Sequence, residues 1–308
     1  MSRTLVGFAC GLVLCVQVWP LAAVGEDRAA RGIWPDPDWA SDTASVAISR
    51  AAEIKALEDY AFTLTGTDDQ RLGIRTDSVV IVHAGKIIYE RYARGYDASK
   101  RHLAWSVSKS ITNAVVGAAV NAGALSLDDS ICKWLPTVRK DNCNLTVRHF
   151  LEFSSGLDWQ ETYEGQSNQM SSVLAMLYGE GRHDMASFVA NHDRRDEPGT
   201  ACEYSTGDTM VLAAVADAAT RPTYGPEFAW KALFDPIGMK SVTWERDPAG
   251  HPLGGAYVYA TPRDFARFGY LFLSDGRWKG TRILPEGWVH DSVQVNDAYR
   301  KKSATFTA

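Results

Sequence analysis

The segment from Trp105 to Gly123 constrains the fold of this chain more than any other. It predicts an amphipathic helix, because apolar side chains recur at helical spacing, at Ile111, Val115, Ala118 and Ala122. Gly123 is a typical helix stop. Ser106 and Lys109 occupy positions i and i+3 at the start of this helix, so their side chains face the same side. The sequence therefore places a hydroxyl and an amine together at a helix N-terminus.

A serine hydroxyl beside a lysine amine is an arrangement used in covalent catalysis. If burial keeps Lys109 uncharged, its amine can take the Ser106 proton without any histidine. The backbone N–H of Ser106 and the helix dipole would also stabilise a developing negative charge. A Ser-x-x-Lys tetrad is expected roughly once by chance in a chain of this length, so a serine and lysine with no catalytic role are the alternative.

Four segments of the chain resemble, in order, the conserved blocks of one family of enzymes. They are HLAWSVSKSITNAVVGAAVNAGALSLDDSI from residue 102, TVRHFLEFSSGLDW from 146, EPGTACEYSTGDTMVLAAVAD from 197 and GGAYVYATPRDFARFGYLFLSDGRW from 254. The family is the β-lactamase-related Ser-x-x-Lys serine hydrolases, which include class C β-lactamases, DD-peptidases, family VIII esterases and 6-aminohexanoate-dimer hydrolases. The resemblance covers about residues 75–290, and its wording is most similar to the 6-aminohexanoate-dimer hydrolases.

This resemblance implies an α/β (α+β) fold of the β-lactamase/transpeptidase type, in which helices flank an antiparallel sheet and a helical subdomain is inserted. It also implies that Ser106 is the nucleophile and Lys109 the base. The family's Tyr-x-Asn motif matches Tyr204 and Thr206, so Tyr204 is the candidate proton relay and Thr206 a candidate substrate-binding residue. Threonine lacks the paired N–H and C=O groups of asparagine, and without the resemblance Tyr204 would be interpreted as a half-buried aromatic at a helix start.

The family's third motif, a Gly-rich triad on a late strand, has no match after Trp288. We therefore expect a C-terminally truncated chain whose last strands are missing. That strand supplies a second oxyanion donor in the family, and loss of one such donor costs about two to three orders of magnitude in rate. Two alternatives to an active hydrolase follow, namely a catalytically impaired relative and a slowly acylating binding or sensor protein without turnover.

Composition limits the partners. The 308 residues are 45% hydrophobic and 22% charged, with a net charge of −5 and no basic stripe, so nucleic acid is not expected as a partner. The expected partner is a small-molecule amide, ester or lactam substrate. The sequence contains no zinc-ligand cluster or nucleotide-binding loop, so we expect neither a metal nor an organic cofactor. It does not indicate an oligomeric state.

The N-terminus predicts export. Residues 1–25 combine Arg3, an apolar run and small residues before Gly25, which is typical of a cleaved signal peptide. The apolar run is shorter than the roughly 20 residues of a membrane span, so we expect no stable span after cleavage and a periplasmic or secreted protein. In that oxidising compartment Cys132 and Cys143 could pair and stabilise the chain by about 3 kcal/mol, leaving Cys202 as the odd cysteine.

Periodicity and the family blocks predict the remaining organisation. Residues 26–75 form a lead-in with a helix between Ala47 and Leu64, and residues 76–100 and 235–308 form the sheet domain. Strand-like runs on either side of Ala84-Gly85 predict a β-hairpin. Residues 101–234 form the helical subdomain that carries both motifs, with further helices over 171–178 and 206–219. Thr261-Pro262 predicts a capped helix start.

Overall fold

The computed structural model describes residues 32–163 and 170–300. The predicted signal peptide lies outside these residues. The strands are β1 Ala40–Ser41, β2 Ser78–His83, β3 Lys86–Tyr92, β4 His102–Leu103, β5 Thr243–Trp244, β6 Val258–Ala260, β7 Arg277–Trp278 and β8 Thr281–Arg282. The helices are α1 Thr43–Ser49, α2 Ala51–Phe62, α3 Val107–Asn121, α4 Val147–Leu151, α5 Ser172–Tyr178, α6 Met185–Ala190, α7 Thr206–Tyr224, α8 Asp235–Ile237, α9 Pro262–Leu273 and α10 Trp288–Ser292. The mixture confirms the expected α/β class.

The hairpin β2–β3 forms the centre of the first sheet and confirms the prediction from residues 78–92. Its turn has positive φ at Ala84 (48°) and Gly85 (79°), as a tight two-residue hairpin requires. A side chain at Gly85 would also collide with the Ile33 carbonyl, since a Cβ there would lie 2.2 Å from that oxygen. The short strand β1 pairs parallel to β3, which gives the strand order β1-β3-β2.

A second small sheet has the order β4-β6-β5 and is antiparallel throughout. Its strand β4 lies directly before α3 in the chain and fixes the start of that helix. His102 and Leu103 pair with Ala260 and Tyr259, and the Ala104 N–H donates to the Val258 carbonyl at 2.8 Å. The residues that lead into Ser106 are therefore anchored to β6, a strand far later in the sequence.

Helices α3 and α7 pack against each other at the centre of the core. Both present small or aliphatic side chains, and many of these are fully buried, among them Ile111, Ala114, Val116, Val211 and Ala214. Burial of such side chains is the main source of folded-state stability, at about 25 cal/mol per Å² of apolar surface. The two helices that carry the predicted motifs are thus the most deeply buried ones.

Two predicted helices differ from the observed ones in their bounds. The predicted helix over 47–64 is two helices, α1 and α2, which meet at Arg50. Helix α7 continues five residues beyond the predicted end at 219 and includes Pro222 in its last turns. The capped start of α9 is confirmed, because the Thr261 side chain accepts a hydrogen bond from the Asp264 N–H.

The structure joins Cys132 and Cys143 in a disulfide with a Cα–Cα distance of 5.2 Å. The bridge links two short 3₁₀ turns, Ile131–Lys133 and Lys140–Asn142, on the way from α3 to α4. Cys202 is half-buried. In the part of the chain that the structure describes, no helix combines the length and apolar character needed to cross a membrane.

Candidate functional site

Ser106 occupies the N-cap position of α3 and is exposed to solvent. As an N-cap residue it carries a backbone N–H with no intrahelical acceptor, so this group is free to face a bound oxyanion. The preceding residue, Trp105, adopts φ = 45°, which is unusual for a non-glycine residue. Backbone strain of this kind concentrates at functional sites, and here it turns the chain sharply from β4 into α3.

Lys109 lies one turn into α3 and is 9% exposed. Its Nζ lies 3.2 Å from Ser106 Oγ, 3.0 Å from Thr206 Oγ1 and 2.8 Å from the Gly255 carbonyl oxygen. These three contacts come from α3 itself, from the start of α7 and from the loop before β6. The amine is therefore held at one point by three separate parts of the chain.

Two glycines allow that loop to approach the helices. A Cβ at Gly254 would lie 2.6 Å from Ala213 Cβ, and a Cβ at Gly255 would lie 2.6 Å from Thr206 Cγ2. Distances this short do not occur between real side chains, so larger residues would push the loop away. The Gly255 carbonyl can reach Lys109 only because residues 254 and 255 lack side chains.

Tyr204 lies beside Lys109 and meets it with the face of its ring. Lys109 Nζ lies 4.8 Å from the centre of the Tyr204 ring, and the relay role of the Tyr204 hydroxyl stays a prediction. The ring is 48% exposed and packs against Phe153 with 5.5 Å between ring centres. Within residues 32–163 and 170–300, the Tyr204 hydroxyl makes no hydrogen bond. The contact is thus between the Lys109 amino group and the face of the Tyr204 ring.

Thr206 is the first residue of α7 and is 1% exposed. Its hydroxyl lies between Lys109 and the carboxylate of Glu161, with which it forms a short hydrogen bond. The Thr206 backbone N–H donates to the same carboxylate at 2.9 Å. The predicted substrate-binding residue is therefore fully engaged by protein groups and faces Lys109.

Glu161 and Tyr163 belong to the site and were not predicted. Glu161 accepts hydrogen bonds from the Trp159 indole N–H at 2.6 Å and from the Tyr163 hydroxyl at 2.8 Å. The Tyr163 hydroxyl also lies 3.4 Å from Thr206 Oγ1. Partial burial, with a contribution from Glu161, raises the pKa of Tyr163 to about 12, so this hydroxyl keeps its proton at neutral pH. Glu161 and Tyr163 both lie in a segment outside the helices and strands, and no local sequence pattern marked them.

Asp208 supports the start of α7 from inside the protein. It is 1% exposed, and its carboxylate accepts hydrogen bonds from the Ser155 and Ser205 hydroxyls at 3.0 and 3.2 Å. Burial raises the pKa of Asp208 to about 7, although the two serine hydrogen bonds act in the opposite direction. Ser205 in turn accepts from the Asp208 N–H at 2.8 Å and so caps the helix that carries Thr206.

A cavity of about 650 Å³ adjoins Lys109 and runs along α3. Its wall includes Lys109, Ser110 and Asn113 and a largely apolar set that comprises Leu127, Leu151, Phe153, Leu212, Phe268, Phe272 and Trp288. The volume is in the range of small-molecule sites. Among the described residues, no group of three or more His, Cys, Asp or Glu side chains is placed to hold a metal ion.

The chain matches known proteins over most of its length. Residues 62–303 match the family model described as beta-lactamase. A 6-aminohexanoate-dimer hydrolase of Paenarthrobacter ureafaciens is 27% identical over 224 residues, which cover 70% of this chain and 56% of that relative. The chain thus spans little more than half the length of this curated relative.

Solved structures show the same fold at low sequence identity. A Bacillus anthracis structure provisionally named a 6-aminohexanoate-dimer hydrolase superposes with a TM-score of 0.61 at 21% identity, covering 72% of this chain and 62% of that one. A Bacteroides dorei structure provisionally named a beta-lactamase gives 0.56 at 20% identity, with 81% and 71% covered. The fold is of the β-lactamase/transpeptidase type, and the chain belongs to the beta-lactamase family of hydrolases.

Proposed function

We propose that this chain is a serine hydrolase that cleaves an amide, ester or lactam bond through an acyl-enzyme on Ser106. One observation carries the proposal. Lys109 Nζ lies 3.2 Å from Ser106 Oγ, and its other two contacts are with the oxygens of Thr206 and Gly255. A buried amine in hydrogen-bond contact with an exposed serine hydroxyl is the nucleophile-and-base pair that acyl transfer requires.

The reaction follows from this pairing. The Lys109 lone pair takes the Ser106 proton while Oγ attacks the substrate carbonyl carbon, and the resulting oxyanion is bound by the Ser106 backbone N–H. The tetrahedral intermediate then expels the leaving group. The proton returns from Lys109 to this group through the Tyr204 hydroxyl, which rotates toward the bound substrate. Water, activated by the same base, then hydrolyses the Ser106 ester and releases the acid.

The substrate class is proposed from the relatives and from the cavity beside Lys109. The Paenarthrobacter relative is named for the 6-aminohexanoate dimer, a linear amide, and this compound is the first substrate to test. The 650 Å³ cavity has a largely apolar wall that includes Lys109 but not Ser106, Tyr204 or Thr206, so it supports the substrate class only as space beside the base. Activated esters and a penicillin complete a set that covers the three bond types.

Intact-mass spectrometry tests the proposal. The purified protein and its Ser106→Ala variant are incubated briefly with 4-nitrophenyl butyrate, a penicillin and a fluorophosphonate. We expect the acyl or phosphonyl mass to be added to wild type and not to Ser106→Ala. Equal labelling of the variant would show that another nucleophile reacts, and no adduct from a cooperatively folded wild-type sample would contradict the proposed function.

The time course separates turnover from trapping. An acyl adduct that forms and then disappears, with release of the acid, identifies a hydrolase. An adduct that forms and persists identifies a slowly acylating binding or sensor protein, the alternative raised by the unmatched third motif. The two outcomes differ in the deacylation rate alone, because both require the Ser106–Lys109 pair.

We propose a periplasmic or secreted location. The signal-like residues 1–25 support it, and so does the Cys132–Cys143 disulfide, because structural disulfides persist in oxidising compartments. Cell fractionation followed by mass determination of the mature N-terminus tests this. We expect the exported protein to begin after Gly25, and an intact Met1 in the cytosolic fraction would contradict it.

A further inference from the structure

In the proposed reaction Lys109 acts as the base and is therefore uncharged before it takes the Ser106 proton, and three oxygens surround its Nζ. An uncharged amine has two N–H donors and one lone pair, whereas an ammonium has three donors and no lone pair. The Gly255 carbonyl can only accept a hydrogen bond, so one Lys109 N–H must point at it. Whether the lone pair faces Ser106 or Thr206 then depends on which way the Thr206 hydroxyl points.

Glu161 decides that direction. Its carboxylate can only accept hydrogen bonds, and it accepts one from the Thr206 hydroxyl. The hydroxyl hydrogen is thereby committed to Glu161, so Thr206 Oγ1 must accept from Lys109, 3.0 Å away. Both amine hydrogens are then used, on Thr206 and on Gly255, and the lone pair is left for Ser106 Oγ.

We propose that Glu161 is a positioning residue, which fixes the polarity of the Thr206 hydroxyl and thereby aims the Lys109 lone pair at Ser106. This inference rests on the proposed function, because it assigns a role only if Ser106 is acylated. It also accounts for the threonine at position 206. An asparagine carbonyl accepts from the lysine unaided, whereas a threonine hydroxyl needs a second acceptor to hold its hydrogen away.

The surroundings of Glu161 make it suited to this role. Its second oxygen accepts from the Trp159 indole N–H at 2.6 Å and from the Thr206 backbone N–H at 2.9 Å. Neither of these groups can reverse, since both are donors only. In Glu161→Gln they would keep the amide oxygen on their side and turn the NH₂ group toward the Thr206 hydroxyl. That hydroxyl would then donate to Lys109 and draw the lone pair away from Ser106.

The test measures the burst of 4-nitrophenolate from 4-nitrophenyl butyrate, which gives the acylation rate constant and the ester's binding constant separately. We expect Glu161→Gln to lower the acylation rate constant by about 100-fold, the cost of a misdirected catalytic group, with ester binding changed less than about threefold. Glu161→Asp, which keeps a carboxylate, should recover part of the rate. Asp158→Asn is the matched control, because it removes a charge from the same segment at a side chain that is 56% exposed.

A double-mutant cycle with Thr206→Val separates positioning from mere structural support. If Glu161 acts through the Thr206 hydroxyl, Glu161→Gln adds no further loss once that hydroxyl is absent. Losses that multiply in the double variant would overturn the inference, and so would a wild-type acylation rate in Glu161→Gln. Thermal melts of each variant identify any loss that comes from unfolding. Absence of a Ser106-dependent burst in wild type would instead contradict the proposed function itself.

Discussion

The two side chains proposed to move protons around Ser106 are held in very different ways. Lys109 is 9% exposed and makes three hydrogen bonds to separate parts of the chain. Tyr204 is 48% exposed, meets Lys109 with its ring face and packs only against Phe153 among the described aromatic rings. One side of the site is therefore assembled before substrate arrives, and the other is not.

This difference separates the two chemical steps that the site must perform. Activation of Ser106 needs only Lys109 and its acceptors, which are in place. Protonation of the leaving group needs a donor positioned against the substrate, and catalytic hydrogen bonds often tighten only in the complex. We infer that the buried side of the site sets the rate of attack, while the exposed side sets which leaving groups can depart.

The largest effect is expected on the buried side. Lys109→Met keeps the length of the side chain and removes the base, so acylation by 4-nitrophenyl butyrate should fall by about 10³–10⁴-fold. The loss should be similar for amides and esters, because both require an activated Ser106. Rates are measured by the nitrophenolate burst and by intact mass. Lys55→Met, at a 74% exposed side chain of α2, is the control, and an equal loss in both variants would show that the effect is not specific to the site.

A smaller and selective effect is expected on the exposed side. Tyr204→Phe removes the relay hydroxyl but keeps the ring contact with Lys109, so hydrolysis of the 6-aminohexanoate dimer should fall by about 100-fold. Hydrolysis of 4-nitrophenyl butyrate should change little, since nitrophenolate leaves without a proton. Tyr60→Phe, at an exposed tyrosine of α2, is the control. Equal losses on both substrates would show that Tyr204 acts in the attack step, and the two sides of the site would then not serve different steps.

The buried helix was predictable from sequence because its determinants are local. Apolar spacing after Lys109 and the stop at Gly123 predicted α3, which spans Val107–Asn121. Its neighbour α7 was predicted to start at Thr206 and does so, since Ser205 is a favourable cap. The predicted end of α7 at 219 was too early, because Thr220 is buried and Arg221 pairs with Asp217 one turn earlier, which continues the helix past the weak local signal of Pro222.

The partners of Lys109 were not predictable in the same way. Glu161 precedes Thr206 by 45 residues and Gly255 follows Lys109 by 146, so only the packed fold brings these groups together. The orientation of Tyr204 was not predictable for a related reason. A family motif identifies the residue, whereas its rotamer depends on neighbours such as Phe153 that no local pattern specifies.

The smallest expected effect tests whether the buried side of the site also carries a pH dependence of stability. Because the pKa of Asp208 is raised from its ordinary 3.8 to about 7, the folded protein binds a proton there that the unfolded chain has released. This contribution to stability is complete below about pH 4 and is lost as the pH rises to about 7. Asp208→Asn can still accept from Ser155 and Ser205 and cannot titrate.

Thermal melts between pH 5 and 8 measure the difference. The Tm of wild type should fall by about 2–4 °C relative to Asp208→Asn over this range, the shift expected for roughly 1 kcal/mol in a chain of this size. Asp264→Asn is the matched control. Asp264 is the third residue of α9, as Asp208 is of α7, and it is also buried, but it lies 3.7 Å from the Arg267 guanidinium. The Tm of Asp264→Asn should change with pH in the same way as the Tm of wild type. If the Tm of wild type and that of Asp208→Asn change equally with pH, Asp208 does not titrate in this range. The stability of the α7 start, which holds Thr206 beside Lys109, would then not depend on pH through Asp208.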